Sequence, residues 1–258
     1  MTASYLFDKG ALCEELAQRN GFRKDLVETG AFTLLAYLRI TKYGGPLVVY
    51  IEGDGSAWES RRQLSEDPTP RDPIMIELAA ADPSKNVVYL ARPGQYTMEG
   101  ASSCSPSYWS NERFSETVVS AMSRAVDNMK REYGAKEISL VGYSGGGAIA
   151  VLVASRRSDV INIRTVAGNL DHEAVNNYHK TSRLEGSLNP IDFAAAIAKV
   201  PQHHFAGSSD KVVPPFIAQS FVKRSGYAGG DRVTIVEGAT HSKGWSERWP
   251  ELLAIPVN

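Results

Sequence analysis

Residues 137–157 read EISLVGYSGGGAIAVLVASRR, a β-branched apolar run that gives way to an alanine-rich one through Gly142-Tyr143-Ser144-Gly145-Gly146. Glycine and serine are poor residues for element interiors, so the junction reads as a forced turn between a strand and a helix. A G-x-S-x-G sequence at such a junction has a specific mechanical sense. A sharp turn lifts the serine hydroxyl above the end of the strand, and small neighbours are needed because backbone crowds that turn. Ser144 is therefore a candidate nucleophile.

The flanking sequence supplies the sheet that such a turn requires. Runs at 46–53, 86–92, 137–143, 161–168, 201–207 and 232–238 are short, apolar and rich in valine and isoleucine. Their near-continuous apolarity suits strands covered on both faces of a parallel sheet. Upstream, GFRKDLVETGAFTLLAYLRI (21–40) predicts an antiparallel hairpin turning around Glu28-Thr29-Gly30. Between the strands, helices are predicted near the N-terminus around Cys13 and over 73–81, 111–133, 145–157, 192–199, 215–224 and 245–254. In the longest, Phe114, Val118, Met122, Val126, Met129 and Tyr133 recur every three or four residues, with Asn111 as N-cap and Gly134 as stop. Alternation of this kind predicts an α/β class, a mostly parallel doubly wound sheet with helices on both faces. No linker or repeat divides the chain, so 1–258 reads as one domain, with 169–200 a small cap or insertion within it.

Composition narrows the partners. The chain of 258 residues is 43% hydrophobic and 22% charged, and it carries a formal net charge of -1. That balance gives no reason to expect nucleic acid or an anionic membrane as partner. No apolar run reaches the length of a membrane span. The first residues lack the basic start and apolar core of a leader, so the sequence as it stands reads as cytoplasmic. A trimmed leader would make the same chain periplasmic or secreted. Cys13 and Cys104 read as free thiols. No metal-ligand spacing and no cofactor motif is expected. Gly145–Ala150 fits G-x-G-x-x-A formally, but it starts inside the helix and no acidic residue ends a following strand, which argues against a dinucleotide site. The expected partner is a small-molecule substrate, and nothing in the sequence sets the oligomeric state.

A serine nucleophile needs a base and an orienting acid, each after a later strand. SSDKVVPP places Asp210 after the 201–207 strand, and ATHSKGW places His241 after the 232–238 strand. Asp171, after the 161–168 strand, is the alternative acid. His172 and His179 read as polar rim residues. His203 and His204 read as structural residues on opposite sheet faces.

With these residues in place, the sequence resembles the α/β-hydrolase superfamily over nearly its whole length. GYSGGG resembles the nucleophile elbow, GSSDKVVP the acid loop and GATHSKGW the histidine loop. The resemblance implies Ser144 as nucleophile, His241 as general base and Asp210 as its acid. YIEGDGSAW, DPTPRDP, VVYLARPGQY and RTVAGNLDH resemble a bacterial subgroup of unassigned substrate. The oxyanion hole is expected from the backbone N–H of Gly145 and of Asp54, with Gly55 next in line. Many relatives have His-Gly at the second position, where this chain has Glu52-Gly53-Asp54-Gly55. Trp58 and Tyr143 are candidates for the substrate pocket. The implied activity is that of a serine hydrolase, a carboxylesterase on short-acyl or small esters. Thioesterase, amidase and peptidase chemistry use the same parts, and a non-catalytic binding protein on the same fold is the other class.

Overall fold

The computed structural model describes residues 9–60, 62–96, 104–229 and 231–257. Helix α1 (Lys9–Arg19) leads into β1 (Arg23–Glu28) and β2 (Thr33–Ile40), followed by β3 (Leu47–Ile51). A two-stranded ribbon, β4 (Trp58–Ser60) and β5 (Gln63–Leu64), precedes α2 (Ile74–Ala81) and β6 (Asn86–Leu90). Then come α3 (Glu116–Glu132), β7 (Ile138–Tyr143), α4 (Gly145–Ala154), β8 (Val160–Val166) and α5 (His172–His179). The chain closes with β9 (Gln202–Gly207), α6 (Phe216–Ser225), β10 (Val233–Val236) and α7 (Trp249–Leu253).

Eight strands form one sheet in the order β1-β2-β6-β3-β7-β8-β9-β10. β1 and β2 are the antiparallel hairpin read from 21–40, and β2 also runs antiparallel to β6. Every other neighbouring pair is parallel, which puts the carboxyl ends of β3, β6, β7, β8, β9 and β10 on one rim. The near-continuous apolarity has its expected cause: β6, β7 and β9 are buried at every position. Alternate residues face two cores. Val49, Ile51 and Leu140 pack under α3, α4 and α6, whereas Tyr50, Val141 and Phe205 pack under α1, α2 and α7. α4 is buried over its whole length, so no polar face was available to mark it as amphipathic.

Three local predictions are corrected. The N-cap of α3 is Ser115, which accepts from the Val118 N–H, and not Asn111. The predicted 192–199 helix is a 3-10 turn at Pro190–Phe193 continued by irregular turns. Its Ala-rich composition favours helix, but its turns close through i+3 bonds such as Ala194 N–H to Ile191 O, Ala198 N–H to Ala195 O and Val200 N–H to Ile197 O. The 245–254 helix is confined to α7. Helix α5 and the β4–β5 ribbon were not anticipated. Among the described residues no helix is long and apolar enough to cross a membrane.

Candidate active site

Ser144 joins β7 to α4 with φ 51° and ψ −118°, a conformation that L-residues rarely adopt. Holding a serine there costs about 1–3 kcal/mol, so the surroundings must impose it. They do so by close backbone contact. A Cβ on Gly142 would overlap the Gly146 carbonyl, and a Cβ on Gly146 would overlap the carbonyls of Ile51 and Glu52. Further ties hold the serine backbone itself. Its N–H donates to Val166 O at 2.9 Å, and its carbonyl accepts from Gly147 at 3.0 Å and Asn169 at 2.9 Å. The strained turn thus projects Oγ beyond the strand end, at the positive end of α4.

His241 and Asp210 arrive from the loops after β10 and β9. His241 Nε2 lies 3.0 Å from Ser144 Oγ, and its Nδ1 lies 2.9 Å from Asp210 Oδ2. Asp210 is buried, and its other oxygen accepts from the Val212 and Val213 N–H groups at 2.8 and 2.9 Å. Those two donors fix the carboxylate with one oxygen free for the histidine. The structure therefore brings Ser144, His241 and Asp210 into one hydrogen-bonded row. Asp171 is engaged elsewhere: it caps α5 through the Ala174 N–H at 3.1 Å and accepts from the Asn189 amide at 2.9 Å.

The other candidates fall into place differently. Tyr143 is buried behind the row, with its hydroxyl donating to His241 O at 3.1 Å and its ring against the imidazole. It braces the histidine loop, where the sequence had suggested a pocket wall. Burial pushes its phenol pKa well up. Trp58 is half exposed at the start of β4. His172 is buried and stacked on Phe114, not at a polar rim. His203 meets Thr234 Oγ1, and His204 meets Thr165 Oγ1 and Gln202 Oε1, while burial holds His204 down to about 3.

The Glu52–Gly55 loop crosses directly over the elbow. Gly53 packs on Tyr143 and Ser144, so close that a Cβ would press on both. Gly55, at φ 64°, is wedged against Pro68 O and Gln95. Gln95 ties the loop down by donating to Gly53 O at 2.9 Å. Glu52 is sealed beneath it, accepting from the Gly53 N–H at 2.8 Å and the Tyr89 hydroxyl at 3.1 Å, and burial raises its carboxyl to about 7. Among the described residues the backbone N–H groups of Gly145, Asp54 and Gly55 have no acceptor. The Asp54 side chain lies against Gly145, and its two oxygens pair with Arg92 Nη1 at 3.5 Å and Arg113 Nη1 at 3.2 Å. Sequence reading missed both arginines. Arg92 stood just past an apolar strand at the functional rim, which was a usable signal; Arg113 offered none.

No protein-family model matches the sequence, and no curated protein does. Solved structures do. Est1E from Butyrivibrio proteoclasticus superposes with a TM-score of 0.64 at 15% identity, covering 89% of this chain and 97% of that one. An α/β serine hydrolase homologue from Coxiella burnetii gives 0.58 at 16% identity, with 89% and 93% covered. An esterase from Pyrococcus furiosus gives 0.57 at 16% identity, with 90% and 89% covered. With the sheet order described above, these likenesses show that the chain is built on the α/β-hydrolase fold.

Proposed function

We propose that this chain is a serine hydrolase acting through an acyl-enzyme, and specifically a carboxylesterase on short-acyl or small esters. The observation that carries the reading is the row Ser144 Oγ, His241 Nε2 and Nδ1, Asp210 Oδ2, at 3.0 and 2.9 Å, with the serine held at φ 51°. In the proposed reaction His241 Nε2 takes the proton of Ser144 as Oγ attacks the ester carbonyl. Asp210 keeps Nδ1–H facing itself and stabilises the imidazolium. The N–H groups of Gly145 and Asp54 receive the developing oxyanion. The C–O bond then breaks, the alcohol leaves with the proton from Nε2, and a water activated by the same nitrogen releases the acid.

Thioesters, amides and peptides would meet the same groups. The ester reading is favoured by the names of the fold neighbours, which include esterases, and Est1E has been solved with ferulic acid bound. We further propose that 169–200 is a small cap on a single domain, with too little apolar surface to enclose a lipid-length chain. Rates should then fall along an ester series from acetyl to palmitoyl. The direct test is a fluorophosphonate probe with peptide mass spectrometry. Stoichiometric labelling should fall on Ser144, vanish in Ser144→Ala, and slow by orders of magnitude in His241→Ala. A folded protein that resists the probe at neutral pH would turn the reading to a non-catalytic binder.

A further inference from the structure

Beside the elbow lies a cluster of charged side chains that the proposed chemistry does not use. Arg92 and Arg113 converge on the single carboxylate of Asp54, which rests against Gly145. The Arg92 side chain is 4% exposed and also donates to Arg113 O. Both guanidiniums lie over the ring of Phe114, at 5.4 and 5.6 Å from its centroid. Two cations against one anion leave one positive charge in surplus. Glu52, raised by burial to about 7, is protonated in mild acid and offsets the surplus only as it ionises. His172 stacks on Phe114, and burial and then Arg113 push its pKa down, so it is neutral and adds no further cation.

The surplus has an outlet. Arg113 Nη1 is taken by Asp54, and its Nε is sealed without a partner. Its Nη2 has no acceptor among the described residues and is not among the fully sealed atoms. The Arg113 side chain is 15% exposed overall. A largely desolvated cation with one free donor edge is a poor arrangement unless an anion completes it. Arg92 Nε and, next to the elbow, Asn169 Oδ1 are also buried without partners. Asn169 itself bonds the Ser144 carbonyl through its backbone. Of these groups only the Arg113 Nη2 edge is not sealed, which makes it the contact available to an anion beside the candidate nucleophile.

We propose that Arg113 is a specificity residue that recognises a carboxylate carried by the substrate, so that the preferred esters are monoanions. A single surplus charge and a single free donor edge match a carboxylate, whereas a phosphate dianion would call for more of both. This rests on the serine-hydrolase reading and sharpens it.

The test uses two matched substrate pairs: 4-nitrophenyl hemisuccinate against 4-nitrophenyl butyrate, and 4-acetoxybenzoate against phenyl acetate. The first puts the carboxylate on the acyl side, the second on the leaving group. Wild-type kcat/KM should favour the anionic member of at least one pair by about tenfold. In Arg113→Gln the ratio of anionic to neutral kcat/KM should fall toward one, chiefly through the anionic KM. Arg113→Lys keeps the charge without the fork and should keep part of the preference, which preserves the test if the glutamine variant does not fold. The anionic KM should also rise with salt. A wild type that prefers the neutral member of both pairs overturns the proposal, as does an Arg113→Gln that slows both members equally. Fluorophosphonate labelling of Ser144 in the same preparations keeps the two questions apart, since its absence would count against the hydrolase reading itself.

Discussion

Replacing Asp210 by asparagine tests the row where its geometry is most constrained. Asp210 Oδ1 accepts two backbone N–H groups, and Oδ2 faces His241 Nδ1. An asparagine there has one oxygen and one NH₂ to distribute. With the oxygen kept on Val212 and Val213, the NH₂ points at Nδ1, which must then accept. The imidazole proton moves to Nε2, facing Ser144, and the base can no longer take the serine proton. The flipped amide would restore the tautomer but set NH₂ against two backbone donors, one part-buried and one buried. Losing both bonds costs about 2–6 kcal/mol, at about 1–3 for each. The productive form is thus depleted by roughly 30-fold to 10⁴-fold, before counting the lost negative charge beside the imidazolium. Asparagine at the equivalent position of a Ser-His-Asp triad costs about 10⁴ in kcat, at the top of that range. Steady-state hydrolysis of a short-acyl nitrophenyl ester should therefore fall by about 10²–10⁴ in Asp210→Asn, with thermal unfolding little changed. Asp171→Asn should remain near wild type, since asparagine caps α5 as well as aspartate does. An Asp210→Asn enzyme that keeps more than a tenth of its activity refutes the reasoning, and so does the opposite ranking of the two variants.

Two further outcomes follow from the elbow and the loop above it. Gly146→Ala forces a Cβ into the Ile51 and Glu52 carbonyls; it should lower stability in urea unfolding by about 3 kcal/mol and abolish Ser144 labelling, and wild-type values for both would be incompatible with the turn described. Glu52 is held near 7 when folded, against its ordinary 4.5, so the native state retains a proton that the unfolded state releases. Stability should decline as pH rises from about 4.5 to about 7, by about 3 kcal/mol, and level off above. Glu52→Gln should lack that decline, and parallel pH–stability profiles for the two proteins would contradict the assignment.

The strands were legible because burial on both faces writes itself into the sequence as unbroken apolar runs. The same punctuation placed Ser144, Asp210 and His241, since each lies in a short turn directly after such a run. What escaped was set by contacts distant in sequence. The Asp54 carboxylate meets arginines 38 and 59 positions away, and nothing local to Arg113 announces that pairing. Helix α5, HEAVNNYH, has too few apolar residues to show a period, and much of its definition comes from the Asp171 cap. The 192–199 segment failed in the opposite sense. Its intrinsic preference was clear, but its turns close through i+3 bonds, and Pro201, just before the following strand, has no N–H to carry a helix on.

Tyr143 has a consequence for how the molecule should wear out. It precedes the nucleophile in the chain, yet its hydroxyl holds the carbonyl of His241, which also accepts from the Trp245 indole. Serine and imidazole are thus fastened through one buried side chain rather than hung from independent loops. Neither can drift while the other stays in register. Heating should consequently show no interval in which the protein is folded but inert: the loss of turnover and the loss of tertiary structure should coincide.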